Sequence, residues 1–544
     1  MSDGITAPRI AVVGMGPRGL GALEALADAR AGQPALKVDI FDAFPAPGAG
    51  PNFDPAESPL CRLNIPMRDI AIRPPAFSAL GPFADWPDAP ADPDAFPPRA
   101  ELGRYLEARF AELRAHAALA ISLRPHAVTD LKRDDTGWQL FSDDSWHGPY
   151  AEVLLVPGQP KVAPDDQLAE WQDHAGTGAG RLAQAYPARL LQDRAVDWAG
   201  QTVAIRGLAL SSFDVLRVLT TGQGGRFADG TYVASGGEPA RILPFSLDGR
   251  PPAPKPATAA LDACFAPTQA ESDAFAEAIA AAATADPDTA RQKIDGALLP
   301  PVRRILEETG TDPAGVADWL ATEWDAPGTQ EDSSPLQALQ DGLAMAEGRQ
   351  PPSIGYTVGQ VWRTWQDALR IGYNPATTPP DTAEALVGFD EGLKRYSYGP
   401  PVSSCHELAA LIEAGIVSLE LATDPEITLI PEGWRLACGD TAIEASVMVD
   451  GVLPNPDLGA VRDPLVTGLL DDGWLTAREG PLAADTAGDG ALIGPDGATA
   501  PGLCLLGRMS LGSVIAADSL HDCFGAASRR WARGVTDRIG QPQG

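Results

Sequence analysis

Near the start of the chain the apolar run Arg9-Ile10-Ala11-Val12-Val13 ends in Gly14-Met15-Gly16-Pro17-Arg18-Gly19, and an Ala/Leu-rich helical pattern follows. Few sequence orders constrain a fold so tightly, because an apolar strand must here turn sharply into a helix. Gly14 permits the turn, Gly16 lets backbone approach a pyrophosphate, and Gly19 lets the helix pack close to the strand. The unpaired N–H groups and positive dipole end of that helix suit phosphate. The next strand, Val38-Asp39-Ile40-Phe41, closes on Asp42, 23 residues past Gly19. The ribose-binding carboxylate of a dinucleotide fold stands about 20 residues on. The pattern predicts a bound dinucleotide.

Composition narrows the partners. A length of 544 residues is enough for three to four domain-sized units. No window approaches the ~18 apolar residues of a membrane span. The formal charge of −32 repels nucleic-acid phosphates and anionic lipid, so neither nucleic acid nor membrane is an expected partner. That acidity reads as solubility. Six cysteines without a CxxC pair and six histidines without ligand spacing argue against structural zinc and a disulfide framework, and no metal site is expected. The first strand begins at about Ile10, which leaves no room for a signal peptide. The expectation is a cytoplasmic protein.

A second strand–turn–helix unit begins at Thr202-Val203-Ala204-Ile205-Arg206-Gly207 and continues through Leu208-Ala209-Leu210-Ser211-Ser212 into a helix. Gly207 is kept there, while Ala209 and Ser211 replace the later glycines. Between the two units, residues 46–99 are Pro-rich and predict an irregular surface loop. Glu152 to Val156 reads as a buried strand ending in Pro157-Gly158. Residues 256 to about 367 are mostly Ala-rich helical pattern, with Trp362 and Trp365 on one core-facing helix side. Val447 to Val449 and Gly502 to Leu506 read as further strands. A final helix is expected from Ser513 to about Gly534, with Asp518 and Asp522 early and arginines late.

Gly48-Ala49-Gly50-Pro51-Asn52-Phe53-Asp54-Pro55, Cys61-Arg62-Leu63-Asn64-Ile65-Pro66, Ser397-Tyr398-Gly399-Pro400-Pro401 and Leu506-Gly507-Arg508, taken with the first turn, resemble the FAD/NAD(P)-binding family of two-dinucleotide flavoproteins. The likeness runs from Ile10 to about Trp531. More distantly, Gly14-Met15-Gly16-Pro17 is similar to the opening of the N-hydroxylating flavin monooxygenases. Val156-Pro157-Gly158 stands where that family has Ala-Thr-Gly, keeping the glycine. The resemblance implies FAD held by Gly14, Gly16, Pro17, Arg18, Gly19, Asp42, Asn64, Gly158, Gly507, Gly512 and Ser513. Gly512-Ser513 would open the last helix near the flavin's pyrimidine end. Gly207, Ser211 and Ser212 would hold the phosphates of NAD(P)H, with Arg241 or Arg250 as candidates for a 2′-phosphate.

The expected fold is α/β, with two Rossmann-like dinucleotide-binding units and a mainly helical insertion. Its divisions are 1–160 for the FAD unit, 161–255 for the NAD(P)-like unit, 256–430 for the helical insertion or lid, and 431–544 for completion of the FAD unit. The implied activity is an NAD(P)H-dependent monooxygenase that uses O₂, by way of a flavin C4a-hydroperoxide, on a small-molecule substrate. Two alternatives stay open: an FAD oxidase or dehydrogenase with a vestigial second site, and a non-enzymatic flavin-binding redox sensor. Flavin carries the redox chemistry itself, so no catalytic side chain is assigned. Arg62, Arg68 and Arg73 are candidates for an anionic substrate. Neither the substrate nor the oligomeric state can be read from the residues.

Overall fold

The computed structural model describes residues 8–478 and 482–540. Its first sheet has six strands, in the spatial order Ala491–Ile493, Thr499–Leu505, Glu152–Leu155, Arg9–Val13, Leu36–Phe41 and Leu119–Arg124. All neighbours are parallel except the outermost pair, 491–493 with 499–505. Both ends of the chain therefore build one sheet, with Cys504 beside Leu154. Ile10, Val12, Val38 and Ile40 bury one face against Leu20 and Leu23 of the helix Pro17–Ala29. Ala11, Val13, Val153 and Leu155 bury the other against Leu131, Trp138 and Leu140 of an antiparallel meander spanning Val128–Tyr150. Strands covered on both faces read as unbroken apolar runs, which is why these were legible.

The Pro-rich stretch 46–99 is irregular, as expected, with three short 3₁₀ turns. It is not superficial. Phe53, Leu63, Met67, Ile70, Ile72 and Phe83 are buried in the first core, so this segment forms a wall of the first unit.

The second sheet has four parallel strands, in the order Arg241–Phe245, Thr202–Arg206, Val447–Asp450 and Arg181–Gln184. This corrects two expected divisions. Val447–Asp450, assigned to the segment completing the first unit, lies between two strands of the second, with Met448 beside both Ala204 and Leu182. The helix Val402–Glu413, assigned to the helical insertion, packs Cys405, Leu408 and Leu411 onto the second core beside Leu216 and Phe213. A meander of Glu426–Ile430, Gly433–Cys438 and Thr441–Ala445 covers the opposite face through Trp434 and Leu436. The chain returns to the first sheet only after residue 450. An apolar strand buried on both sides carries no mark of the sheet it will join, so pairing, not composition, decided this boundary.

The insertion proper runs from Ala259–Ala263 to Pro380–Ser397 and is helical throughout its regular elements. Its core holds Phe275, Ile294, Leu298, Trp362, Trp365 and Phe389. Trp365 stacks on Phe275 at 4.3 Å between ring centroids, so the two tryptophans are core residues as expected. The same cluster reaches Ile515 and Ala516, which seats the insertion on the C-terminal segment. Among the described residues no helix is long and apolar enough to cross a membrane.

Candidate functional site

The first turn is built by contacts that only glycine allows. Gly14 has φ +93°, and a Cβ there would lie 2.3 Å from the Val156 carbonyl oxygen. Its N–H donates to the Phe41 carbonyl at 2.8 Å, which ties the turn to the neighbouring strand. A Cβ on Gly19 would sit 2.9 Å from the Gly14 carbonyl oxygen, so this glycine sets how closely helix meets strand. Gly16 is different. It is the helix N-cap in extended conformation, no side chain caps it, and Pro17 follows at the first helical position. A Cβ on Gly16 would meet only the Gly50 Cα, at 3.8 Å. The Gly48 N–H donates to the Met15 carbonyl, and that bond pins the loop carrying Gly50 opposite the turn. Two glycine backbones therefore face each other beside a helix start whose side chains offer it no cap. This donor set fits a pyrophosphate.

Asp42 stands at this turn. Its carboxylate accepts from the Met15 N–H and the Phe44 N–H, both at 2.9 Å. Burial pushes its pKa up, and the two N–H groups pull against that rise. Each oxygen keeps lone pairs for a further donor. Gly158, at φ +71°, has nothing within 4 Å of a Cβ position. Gly507 follows the strand Thr499–Leu505 at φ +108°, 3.6 Å from the Arg18 Nε by the same measure.

Three of the expected residues are held by distant parts of the chain. The buried Arg18 guanidinium turns away from the helix start, pairing with Asp522 at 2.5 Å and donating to the Ala517 carbonyl at 2.8 Å. It clamps the C-terminal segment to the first helix. Gly512 and Ser513 do not open a helix. The regular elements there are Leu520–Cys523, capped by Ser519, and Ala526–Gly540. The Ser513 hydroxyl is buried, donating to the Ala484 carbonyl at 3.2 Å and accepting from the Thr486 N–H at 2.9 Å. The Gly512 carbonyl accepts from the Tyr373 hydroxyl at 2.6 Å. Hydrogen bonding with the 482–486 segment, distant in sequence, holds this stretch outside a helix and leaves no trace in the helical pattern.

The second turn repeats the first. Gly207 has φ +103°, and its N–H donates to the Phe245 carbonyl at 2.8 Å. Ala209 is the N-cap of the helix Leu210–Leu219, again extended and without a side-chain cap. Ser211 is half-buried beside it, whereas Ser212 is buried and its hydroxyl donates to the Ala209 carbonyl at 2.6 Å. Arg241 pairs with Glu420, and Arg250 donates to the Glu331 and Ser333 carbonyls, so neither guanidinium is committed to this turn.

Between the units, Arg62 and Asn64 meet residues that the sequence did not single out, Asp214, Arg99 and Tyr186. Asp214 is buried and accepts from the Tyr186 hydroxyl at 2.7 Å, Arg99 Nη2 at 3.0 Å and the Arg62 N–H at 3.2 Å. Arg62, Asn64, Arg99, Asp214, Arg217 and Ser404 line a small cleft at this junction. The available signal was an Asp–Arg pair three residues apart in a mostly apolar helix. Asn64 is half-buried, and its carbonyl accepts from the Lys255 ammonium. Burial brings Lys255 down to about 7, with Arg363 adding to that fall. Arg68 pairs with Asp94 and approaches Asp262, and this leaves it less free for a substrate than the sequence suggests.

Strand, glycine turn and helix thus occur twice, each on its own mainly parallel sheet, an arrangement suited to two dinucleotides. Residues 11–160 match a family model described as FAD-NAD(P)-binding. An L-aspartate N-monooxygenase (nitrosuccinate-forming) of Streptomyces davaonensis is 26% identical over 85% of each chain. The nitrosuccinic acid synthase of Aspergillus oryzae is 31% identical over 42% of this chain, which spans only 37% of that protein. In fold, the chain is similar to the ornithine N-hydroxylase of Kutzneria sp. 744 in complex with reduced FAD, NADP⁺ and L-ornithine. That match has a TM-score of 0.50 and 14% identity, covering 98% of this chain and 100% of that one. Residues 11–160 thus form an FAD-NAD(P)-binding unit, and the chain as a whole shares the fold of that N-hydroxylase.

Proposed function

We propose that this protein is an NAD(P)H-dependent flavin N-monooxygenase acting on the amino group of a small acidic amino acid, with L-aspartate the leading candidate. The observation that carries this reading is the relative named for L-aspartate N-oxygenation, aligned over 85% of both chains. The net reaction consumes R–NH₂, O₂, NAD(P)H and H⁺, and yields R–NHOH, water and NAD(P)⁺. When bound, FAD supplies the two-electron chemistry that links nicotinamide to oxygen.

The chain's own residues bind, orient and exclude water. The N–H groups opening Pro17–Ala29, beside Gly16 and Gly50, would hold the pyrophosphate of FAD, and Asp42 would accept from its ribose. Gly14 and Gly19 shape that turn, Pro17 presets its helix, and Gly158 and Gly507 leave room at the strand ends. Gly207, Ala209 and Ser211 open the second helix toward NAD(P)H. Asn64 and Gly512 stand in the loop and C-terminal segment that the resemblance brings to the flavin. The helical insertion, seated on that segment, would help exclude water from the bound FAD. A cytoplasmic location suits an enzyme that draws on the NAD(P)H pool.

The test is spectroscopic. The purified protein is expected to show an oxidised flavin band that NADPH or NADH bleaches under anaerobic conditions. Aerobic incubation with L-aspartate is expected to yield an N-oxygenated product by mass spectrometry. A yellow protein inert to both nicotinamides overturns the reading and returns the oxidase alternative.

A further inference from the structure

Buried polar atoms in folded proteins almost always find a partner, so a local concentration of exceptions calls for a partner that completes the bonding. Among the described residues, twelve buried side-chain polar atoms have no hydrogen-bond partner. Five of them fall in one seam: Gln366 Oε1, Arg370 Nη1, Asn374 Nδ2, Ser397 Oγ and Arg508 Nε. That seam lies between two helices of the insertion, Gln366–Tyr373 and Pro380–Ser397, and the C-terminal segment 508–522.

Several bonds fix the seam. The Ile515 N–H donates to Asn374 Oδ1 at 2.9 Å, which orients the Asn374 amide and leaves its NH₂ unpaired. Lys394 donates to Asp518 at 3.1 Å. Gln366 donates to Asp390 at 3.2 Å, and this links the two helices. Arg370 is 5% exposed. Its Nη2 pairs with Asp367 at 2.5 Å and its Nε stands 4.0 Å from Asp522, while Nη1 has no acceptor. Arg508 approaches Asp518 at 3.8 Å and donates to the Pro454 carbonyl at 3.2 Å. Spacings of four residues place Gln366, Arg370 and Asn374 along one helix side, and Asp390, Lys394 and Ser397 share a side of the other.

The unpaired atoms have a definite chemistry. Two guanidinium N–H groups and one amide NH₂ are donors that call for an oxyanion with several lone pairs, and a carboxylate meets an arginine best. The Gln366 carbonyl and the Ser397 hydroxyl can accept, and an amine offers them N–H. A ligand that satisfies both sets carries carboxylate and amine together. We propose that this seam is the substrate pocket, in which Arg370 and Asn374 hold a carboxylate of an α-amino dicarboxylic acid and Arg508 reaches the other. The assignment rests on the N-oxygenation reading above.

Asn374→Asp is the sharpest probe, because it keeps the acceptor used by Ile515 and replaces the free NH₂ with a negative oxygen. Binding of L-aspartate to the oxidised holoenzyme would be measured by calorimetry, alongside FAD content and the thermal midpoint. Asn374→Asp and Arg370→Gln are each expected to raise the Kd for L-aspartate at least tenfold while FAD stays bound. Should Arg370→Gln fail to fold, the isosteric Asn374→Asp carries the test alone. A wild-type enzyme that oxygenates L-aspartate, with Asn374→Asp binding it unchanged, overturns the pocket and leaves the function standing. A wild-type enzyme that is reduced by NADPH yet oxygenates only amines without a carboxylate overturns both.

Discussion

The two glycine turns share a backbone and differ in what they tolerate. Gly14 and Gly207 adopt the same left-handed conformation, at φ +93° and +103°. Each donates to the end of the next parallel strand, at 2.8 Å in both cases. At Gly14 a Cβ would strike backbone at 2.3 Å, whereas at Gly207 the nearest atom, in Gly451, is 3.4 Å away. The difference comes from the strand crossing behind each turn. In the first unit Val156 crowds the glycine; in the second Gly451 leaves space. Where the first turn has Gly19 packed on the Gly14 carbonyl, the equivalent position of the second is Ser212 and not the expected Ser211, and its hydroxyl folds back onto Ala209. A turn can thus keep its helix-start geometry after losing two of its three glycines, because the N-cap residue is extended in both.

The largest effect that tests this comparison is on the fold. Gly14→Ala should cost about 2–6 kcal/mol, positive-φ strain and backbone clash together. Gly207→Ala should cost about 1–3 kcal/mol, the strain alone. Urea unfolding measures both, and equal costs would show that the strand behind the turn is not what separates them. Next comes cofactor retention. At the paired N-cap positions, Gly16→Val should purify without FAD yet folded. Ala209→Val should keep its flavin band and raise the KM for NAD(P)H about tenfold, or about 1.4 kcal/mol. A fully yellow Gly16→Val protein would remove the pyrophosphate from the first turn.

The junction should respond next. Asp214→Asn leaves Arg99 buried with a weaker partner, so a loss of about 3 kcal/mol is expected. Calorimetric scans should then separate into two transitions as the units uncouple; a single unshifted transition would show that the junction does not join them. Asp42→Ala should weaken FAD binding by about 1–3 kcal/mol, and an unchanged Kd would leave Asp42 as a tie for Met15 and Phe44 only. The smallest effect is one of pH. Lys255 is depressed to about 7 when folded, so between that value and the ordinary lysine range the unfolded chain binds the extra proton. Stability should therefore rise with pH across that window. Lys255→Met should flatten the rise, and an identical slope in the variant would show that the buried amine is not its source.

The helical final segment shows where pattern reading fails. Its charges are ordered as a helix dipole would have them, yet residues 513–518 are not helical. Ser513 is held by Ala484 and Thr486, and Asp522 by Arg18, far away in sequence. The same limit hid the substrate seam and Asp214. Gln366, Arg370 and Asn374 show helical spacing that fits any amphipathic helix, and only the segment packed against them leaves their donors unpaired. The meander at Val128–Tyr150 was missed because its charged outer positions mask the buried Leu131, Trp138 and Leu140.

By itself, the sequence determined two strand–turn–helix units, the need for glycine at 14, 19 and 207, the acid at the end of the second strand, and a helical insertion around two core tryptophans. These are local facts, because steric limits on φ and short-range periodicity act within a few residues. Tertiary structure alone decided which sheet claimed Val447–Asp450, where Arg18 and Ser513 turned, and how Asp214 came to bind two units. Those outcomes depend on partners up to several hundred residues apart, and the pairing energy that selects them is absent until the chain has closed on itself.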